Sequence, residues 1–456
     1  MTALTKAVDA GGINLGPIQL IKGGRALVRD IRFQLVQGSY IELRGANGSG
    51  KTTLLKTLAG LDEDKSAAPQ SFPLNSVFYF AHQSGFRPEL NVTDQLLLNL
   101  QLFGLCPDAD HIRGLLANAG LTKQASLQVR DLSHGQQRRL LLVIMASSQR
   151  HLWLVDEPLN ALDDQAKLLF AQLLTEHLQQ GGCAIVATHL ALGEAIPALA
   201  DYRAATLSIH NGLSTFLPAN STLSNAREFE AGNSLTAANT LCWSMRRELK
   251  LLLAKPAEIV WPAMFHVMIV SMFPLAIGAG PDILQRIAAG VFWMSAMLAI
   301  LMAAGRLFDL DSEHGALMQV RVAGGSLATL CAGKFAASFI AICLPIALIS
   351  YPLGLLYHLP LAMMNNLTLS LVFGLVSLVT FSGLFAALGL MARNAQVMMC
   401  LLAFPVFVPL LIFGTSAVNA AGLHFSSPLV VLISLACLTM LTVPLVTAKV
   451  LALALE

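Results

Sequence analysis

The chain has 456 residues, a formal net charge of +2 and only 12% charged residues, with a mean hydropathy of +0.64. The length allows about two to four domains, and the apolar excess is uneven: residues 1–239 carry 19 Lys and Arg against 20 Asp and Glu, whereas 240–456 carry only 10 and 7. Neither half has the basic surplus of a nucleic-acid binder, and the seven cysteines contain no CxxC pair, so they are expected as reduced, small core residues.

The N-terminus, Met1-Thr2-Ala3-Leu4-Thr5-Lys6, lacks the apolar core of a signal peptide, which predicts that the first half stays in the cytosol. Residues 13–44 alternate apolar and polar positions as antiparallel strands do, ending in the strand Tyr40-Ile41-Glu42-Leu43. Directly after it stands Gly45-Ala46-Asn47-Gly48-Ser49-Gly50-Lys51-Thr52-Thr53, a complete GxxxxGK[ST] phosphate loop. Its glycines let the backbone turn tightly and aim N–H groups at phosphates. Lys51 adds a positive charge, the Thr52 hydroxyl is placed for Mg2+, and the helix that follows lends its dipole.

Val77 to Gln83 reads as a strand running into a loop, and Asn91 or Thr93 as the cap of a helix with an apolar stripe. In Leu132-Ser133-His134-Gly135-Gln136, residues Ser133, Gly135 and Gln136 open a helix and form a second small anion nest. It lies too far along the chain to close on its own phosphate loop. The run His151-Leu152-Trp153-Leu154-Val155 is a buried parallel strand that ends in Asp156, placed for the Mg2+ shell, and Glu157, placed to polarise an attacking water.

With these motifs in this order, residues 13 to about 212 resemble the ATP-binding cassette (ABC) family, an α/β P-loop NTPase fold. The resemblance implies ATP and Mg2+ as cofactors and Leu132–Gln136 as the signature that binds the partner's nucleotide in a dimer of ATPase domains. It also implies Ala161-Leu162-Asp163 as the D-loop, Gln83 as the Q-loop glutamine in the Mg2+ shell, and His189 as the switch histidine that joins Gln83 and Glu157 at the hydrolytic step. The aromatic residue on which such ATPases stack adenine is absent around Ile21-Lys22-Gly23-Gly24-Arg25, where Lys22 or Arg25 could stack instead. The wording HQSGFRPELNVTDQLLLNL, LSHGQQRRL and LWLVDEPLNALD resembles one branch, CcmA, the ATP-binding subunit of the cytochrome c maturation (haem exporter) system. His134 departs from the small residue usual there, which is tolerable if it faces solvent.

The ATPase domain is taken as 1–212, and 213–240, rich in Ser, Asn, Ala and Thr, as a flexible linker. From 241 to 456 the chain predicts an all-α transmembrane domain of six helices. It opens with an amphipathic basic segment, Met245 to Lys255, suited to the membrane surface, and continues with spans near 258–279, 284–305, 335–357, 367–391, 397–417 and 428–451. Arg246, Arg247, Lys250, Lys255, Arg306, Arg321, Lys334, Arg393 and Lys449 fall on one side and only Arg286 on the other, so both termini are expected in the cytoplasm.

The loop Arg306 to Val320 has the apolar spacing of a helical face and is a candidate coupling helix for the ATPase. That loop, with PAEIVWP, FPLAIG, IAAGVFWMSAMLA and FPVFVPLLIFG, resembles CcmB, the membrane subunit of the same system. The double resemblance implies a natural fusion in a bacterial inner membrane, serving haem delivery with a haem-handling membrane protein and a haem chaperone. His266, His358 and His424 are the candidate haem ligands, each with the alternative of a satisfied packing histidine. An exporter of a lipid, drug or polysaccharide is the competing expectation, and so is a release device in which hydrolysis detaches a haem-loaded chaperone and nothing crosses the domain.

Overall fold

The structure, a computed structural model, describes residues 12–22, 25–61, 76–81, 83–159, 164–189, 192–210, 213–218, 236–278, 280–304, 307–391, 395–420 and 427–454. It divides into two units, Met1–Thr236 together with His314–Gly325, and Ala237–Glu313 together with Ser326–Leu455.

The first unit opens with an antiparallel pair, β1 (Gly12–Lys22) and β2 (Arg25–Val36). Its main sheet is built in chain order from β3 (Tyr40–Gly45), α1 (Lys51–Leu58), β4 (Val77–Phe80), α2 (Val92–Leu102), α3 (Ala109–Asn118), α4 (His134–Ser147), β5 (Leu152–Asp156), α5 (Asp164–Gln179), β6 (Cys183–Ala187), α6 (Leu192–Ala195), β7 (Arg203–His210) and β8 (Leu213–Pro218). The strands lie in the order β4-β5-β6-β3-β7-β8, parallel except for β8. Every residue of β4, β5 and β6 is buried, which is why each reads as an unbroken apolar run. Leu54 and Leu55 of α1 pack on Ile41, Leu43, Leu154 and Ile185 in one core. Each such fully buried side chain stabilises the fold by about 1.5–3 kcal/mol.

Of the two candidate caps for α2, Asn91 is the one used, its side chain accepting the Asp94 N–H at 2.6 Å, whereas the Thr93 hydroxyl donates to the Ala125 carbonyl. The linker expected over 213–240 is shorter at both ends. Leu213–Pro218 pairs with β7 because its alternating exposure suits an edge strand, and a helix has begun by Ala237. Residues 219–235 lie outside the described residues.

The second unit contains α7 (Ala237–Ala254), α8 (Pro256–Ile277), α9 (Pro281–Ala304) and the short α10 (Asp309–Glu313). The chain then contributes α11 (Ala316–Val322) to the first unit and returns as α12 (Leu327–Ser338), α13 (Leu344–Leu353), α14 (Leu361–Gly389), α15 (Ala395–Val418) and α16 (Ser427–Ala454). A π turn at Phe339–Cys343 joins α12 to α13 just where Pro345 lacks a donor for the helix ladder. Six helical stretches among the described residues are long and apolar enough to cross a membrane: Pro256–Ile277, Pro281–Ala303, Leu327–Tyr357, Leu361–Gly389, Leu401–Val418 and Pro428–Ala454. The third begins eight residues before its expected start at 335, because Lys334 is not a loop charge.

Lys334 is 0% exposed, and its ammonium donates to Glu248 at 2.8 Å and Asp311 at 2.7 Å, while Arg247 reaches Asp311 at 2.6 Å. These four buried charges tie α7, α10 and α12 together, with the Arg247 guanidinium over the Trp243 ring. Two of the charges in the segment expected on the membrane surface, Arg247 and Glu248, are therefore turned inward. Of the cysteines expected in the core, Cys183, Cys331 and Cys343 are buried, whereas Cys106, Cys242 and Cys437 are exposed.

Candidate active site

Register brings the site together. Leu43 of β3 and Asp156 of β5 both pair with Ala187 of β6, so the three strands end level and discharge their loops at one sheet edge. At that edge Gly48 and Gly50 have φ of 81° and 105°, the left-handed turns for which the loop uses glycine. Lys51 is buried at the start of α1, and its Nζ donates to the carbonyls of Gly45 at 2.7 Å and Ala46 at 3.1 Å. The Thr52 hydroxyl donates to Asp156 Oδ2 at 2.8 Å.

Glu157, directly beyond β5, has φ 49° and gives its N–H to the Ala187 carbonyl at 2.9 Å. A left-handed conformation at a non-glycine residue costs about 1 kcal/mol or more and persists where neighbours impose it, commonly at functional positions. The turn presents its carboxylate to His189, whose Nε2 lies 2.7 Å from Oε1. The Thr188 N–H donates to the Leu43 carbonyl at 3.1 Å, holding the start of the histidine loop to β3.

The donor set fits a nucleotide and a hard cation. A hydroxyl and a carboxylate in contact are the oxygen ligands that Mg2+ takes. The Ser49 Oγ, buried with no partner among the described residues, is an unsatisfied group in a loop that also carries backbone N–H donors and the Lys51 ammonium, the groups that phosphate oxygens require.

The remaining expected residues sit apart from this cluster. Ser133 caps α4 in a reciprocal box with Gln136, Ser133 Oγ accepting from the Gln136 N–H at 3.3 Å and Gln136 Oε1 accepting from the Ser133 N–H at 2.9 Å. Ser133 and His134 are exposed and Gly135 half-buried, so His134 does face solvent and the nest is open. Gln83 is exposed and abuts Gly315, where a Cβ would lie 3.1 Å from its Oε1. The D-loop residues Ala161, Leu162 and Asp163, the side chains of Lys22 and Arg25, and His424 lie outside the described residues.

Arg138 of α4 was not singled out by its motif. Its guanidinium lies over the Phe80 ring at 5.2 Å and donates to the Ala81 carbonyl. Burial lowers its pKa, against the opposing pull of Asp156. A charged residue facing the apolar end of β4 is the signal that could have found it.

In the second unit His266 is fully buried, with Nε2 2.9 Å from the Ser350 hydroxyl and Nδ1 2.9 Å from the Ser295 hydroxyl. Both ring nitrogens are engaged, so of the two expectations for this residue the geometry matches the satisfied packing histidine. His358 is exposed in a left-handed turn after Tyr357, its carbonyl accepting from Gln285 at 2.6 Å.

Comparison with known proteins agrees with this division. The CcmB protein family model matches residues 240–454, and the ABC transporter model matches 28–160. The cytochrome c biogenesis ATP-binding export protein CcmA of Cupriavidus pinatubonensis is 35% identical over 205 residues, covering 41% of this chain and 91% of the relative. The CcmA of Paracoccus denitrificans is 39% identical over 176 residues, covering 39% and 81%. CcmA 2 of Cupriavidus metallidurans is 38% identical over 178 residues, covering 37% and 84%. With the six apolar helices, the CcmB match makes this a multi-pass membrane protein, and the chain belongs to the CcmA family of cytochrome c biogenesis ATP-binding export proteins, with a CcmB domain following on the same polypeptide.

Proposed function

We propose that this chain hydrolyses ATP on the cytoplasmic face of a bacterial inner membrane to drive haem delivery during cytochrome c maturation. Lys51 and the N–H groups of residues 45–53 bind the β- and γ-phosphates. Thr52 and Asp156, joined by Gln83 when that loop moves in, hold Mg2+, which when bound neutralises phosphate charge and keeps the triphosphate in one geometry. Glu157 orients and deprotonates the attacking water, and His189, 2.7 Å away, fixes the carboxylate and meets the transferred phosphoryl charge. Two such chains, or this chain and a second ATPase, close with Ser133, Gly135 and Gln136 of each capping the other's nucleotide.

The observation that carries the reading is the joint presence of this site and α11 in one unit. The Gly85 N–H donates to the His314 carbonyl at 2.8 Å, and Val322 and Met318 pack into the ATPase core. A segment from the membrane half is thus part of the ATPase body next to Gln83, which gives nucleotide-driven motion a route into the spans. Six apolar helices and the excess of Lys and Arg at alternate ends of the expected spans, with Lys334 and Arg247 now set aside as buried, support the stated orientation.

The His266 clasp favours the release form of this function, in which hydrolysis detaches a haem-loaded chaperone from a membrane partner. Among the described residues His266, Ser295 and Ser350, and Trp293 with Ser370, are engaged with one another rather than open to a passing haem. The test is a deletion strain complemented with the wild-type chain or with Lys51→Ala. The wild-type chain should restore covalent haem on c-type cytochromes and Lys51→Ala should not, with b-type cytochromes normal throughout. Restoration by both would count against ATP-driven maturation, and loss of b-type cytochromes would point to a wider export role.

A further inference from the structure

β3 is a poor place for a carboxylate. A central parallel strand, paired with β6 on one side and β7 on the other, is normally apolar on both faces, and Ile41 and Leu43 obey that rule. Glu42 between them is 0% exposed. A residue that breaks the local pattern at such a position, with its charge fully compensated, is the kind of exception that function retains.

The compensation has two parts. Oε2 accepts from Arg44 Nη2 at 2.7 Å and Nε at 3.1 Å, with Arg203 Nη1 3.7 Å away. Oε1 accepts the backbone N–H of Leu192 at 2.7 Å. The arginines satisfy the charge; the amide contact does something further, because Leu192 lies three residues past His189. On the other side of His189 the Thr188 N–H donates to the Leu43 carbonyl. Thr188 and Leu192 are therefore each tied to one of two consecutive residues of the strand that leads into the phosphate loop, and His189, whose imidazole faces Glu157, falls between them in sequence.

We propose that Glu42 is a positioning residue for hydrolysis, fixing the histidine loop on β3 so that His189 stays within hydrogen-bond distance of Glu157. The proposal rests on the roles given above to Glu157 and His189. A displacement of about 1 Å in a reacting geometry costs roughly 10²-fold in rate, so loss of one tie acts on turnover and leaves the phosphate contacts of Lys51 and Thr52 in place.

The experiment uses the full chain in lipid nanodiscs, with Glu42→Ala and Glu42→Gln each made alone and together with His189→Ala. It measures kcat, KM for ATP and the affinity for a fluorescent ATP analogue. Glu42→Ala should lower kcat by about 10²-fold with KM and affinity unchanged. Glu42→Gln, which still offers an oxygen to Leu192, should retain more of kcat than Glu42→Ala, and Glu42→Ala should cost nothing further once His189 is alanine. An equal loss in both backgrounds, or a rise in KM with kcat intact, overturns the proposal. Should Glu42→Ala fail to fold, Glu42→Gln alone carries the test: its smaller kcat loss should vanish once His189 is alanine, and an equal loss in both backgrounds overturns the proposal. If His189→Ala alone leaves kcat untouched, the role of His189 fails and the proposal with it. If His189→Ala is inactive but Glu42→Ala is wild-type, only the proposal fails.

Discussion

Gly315 lies so close to Gln83 that a Cβ on the glycine would stand 3.1 Å from both Cβ and Oε1 of the glutamine. Gly315 also has φ 77° and is the N-cap of α11, one residue after the carbonyl that receives the Gly85 N–H. Gln83 and the turn into α11 are therefore closely packed.

Gly315→Val is expected to separate hydrolysis from its use. A β-branched residue in the left-handed region costs roughly 1–2 kcal/mol, and its side chain would push Gln83 away. Residual ATPase activity should survive while haem attachment to c-type cytochromes falls. Parallel assays of purified protein and of cells would check this, and wild-type maturation in the variant would argue against coupling through this turn.

Removing Lys334 should be costly. Lys334→Met takes from the buried carboxylates of Asp311 and Glu248 the ammonium that both accept from, and breaking such a pair typically costs about 3–5 kcal/mol. Lys334→Met combined with Asp311→Leu should recover part of the loss, since an apolar replacement of both partners is far better tolerated. Thermal unfolding in detergent would compare the three proteins; equal midpoints would mean the network contributes nothing.

His177 predicts a pH dependence. Its ring stacks on Trp153 at 3.8 Å, and burial lowers its pKa from 6.5 to about 4. The native protein keeps the imidazole neutral while the unfolded chain takes up a proton, so stability should fall as pH drops from 6.5 towards 4 and level off below the folded value. His177→Phe keeps the stack and should flatten the part of the stability profile that lies between those pH values. An unchanged slope would place the titrating group elsewhere.

Much of this was legible because phosphate chemistry and bilayer thickness leave narrow choices. The phosphate loop, the Asp156-Glu157 pair and the six spans can each be read from a handful of residues whose spacing is dictated by a ligand or by hydrocarbon depth. What escaped was decided by tertiary partners. Leu213–Pro218 looked like linker because an exposed edge strand has no apolar run, and it is a strand only because β7 offers a free edge. Lys334 looked like a loop charge because its partners Glu248 and Asp311 are 86 and 23 residues away in sequence. Glu42 stood in plain view in an apolar strand, but its meaning depends on Leu192, 150 residues later.

The central claim is that ATP hydrolysis by this chain powers cytochrome c maturation, and haem staining of c-type cytochromes in a strain whose only copy is Glu157→Gln tests it most directly. The account predicts that the variant is made at the wild-type level and binds nucleotide, that its hydrolysis falls by about 10²- to 10⁴-fold, and that haem-stained c-type cytochromes disappear while their apoproteins accumulate. Normal staining with hydrolysis abolished would contradict it, leaving an ATP-binding membrane protein whose turnover serves another substrate.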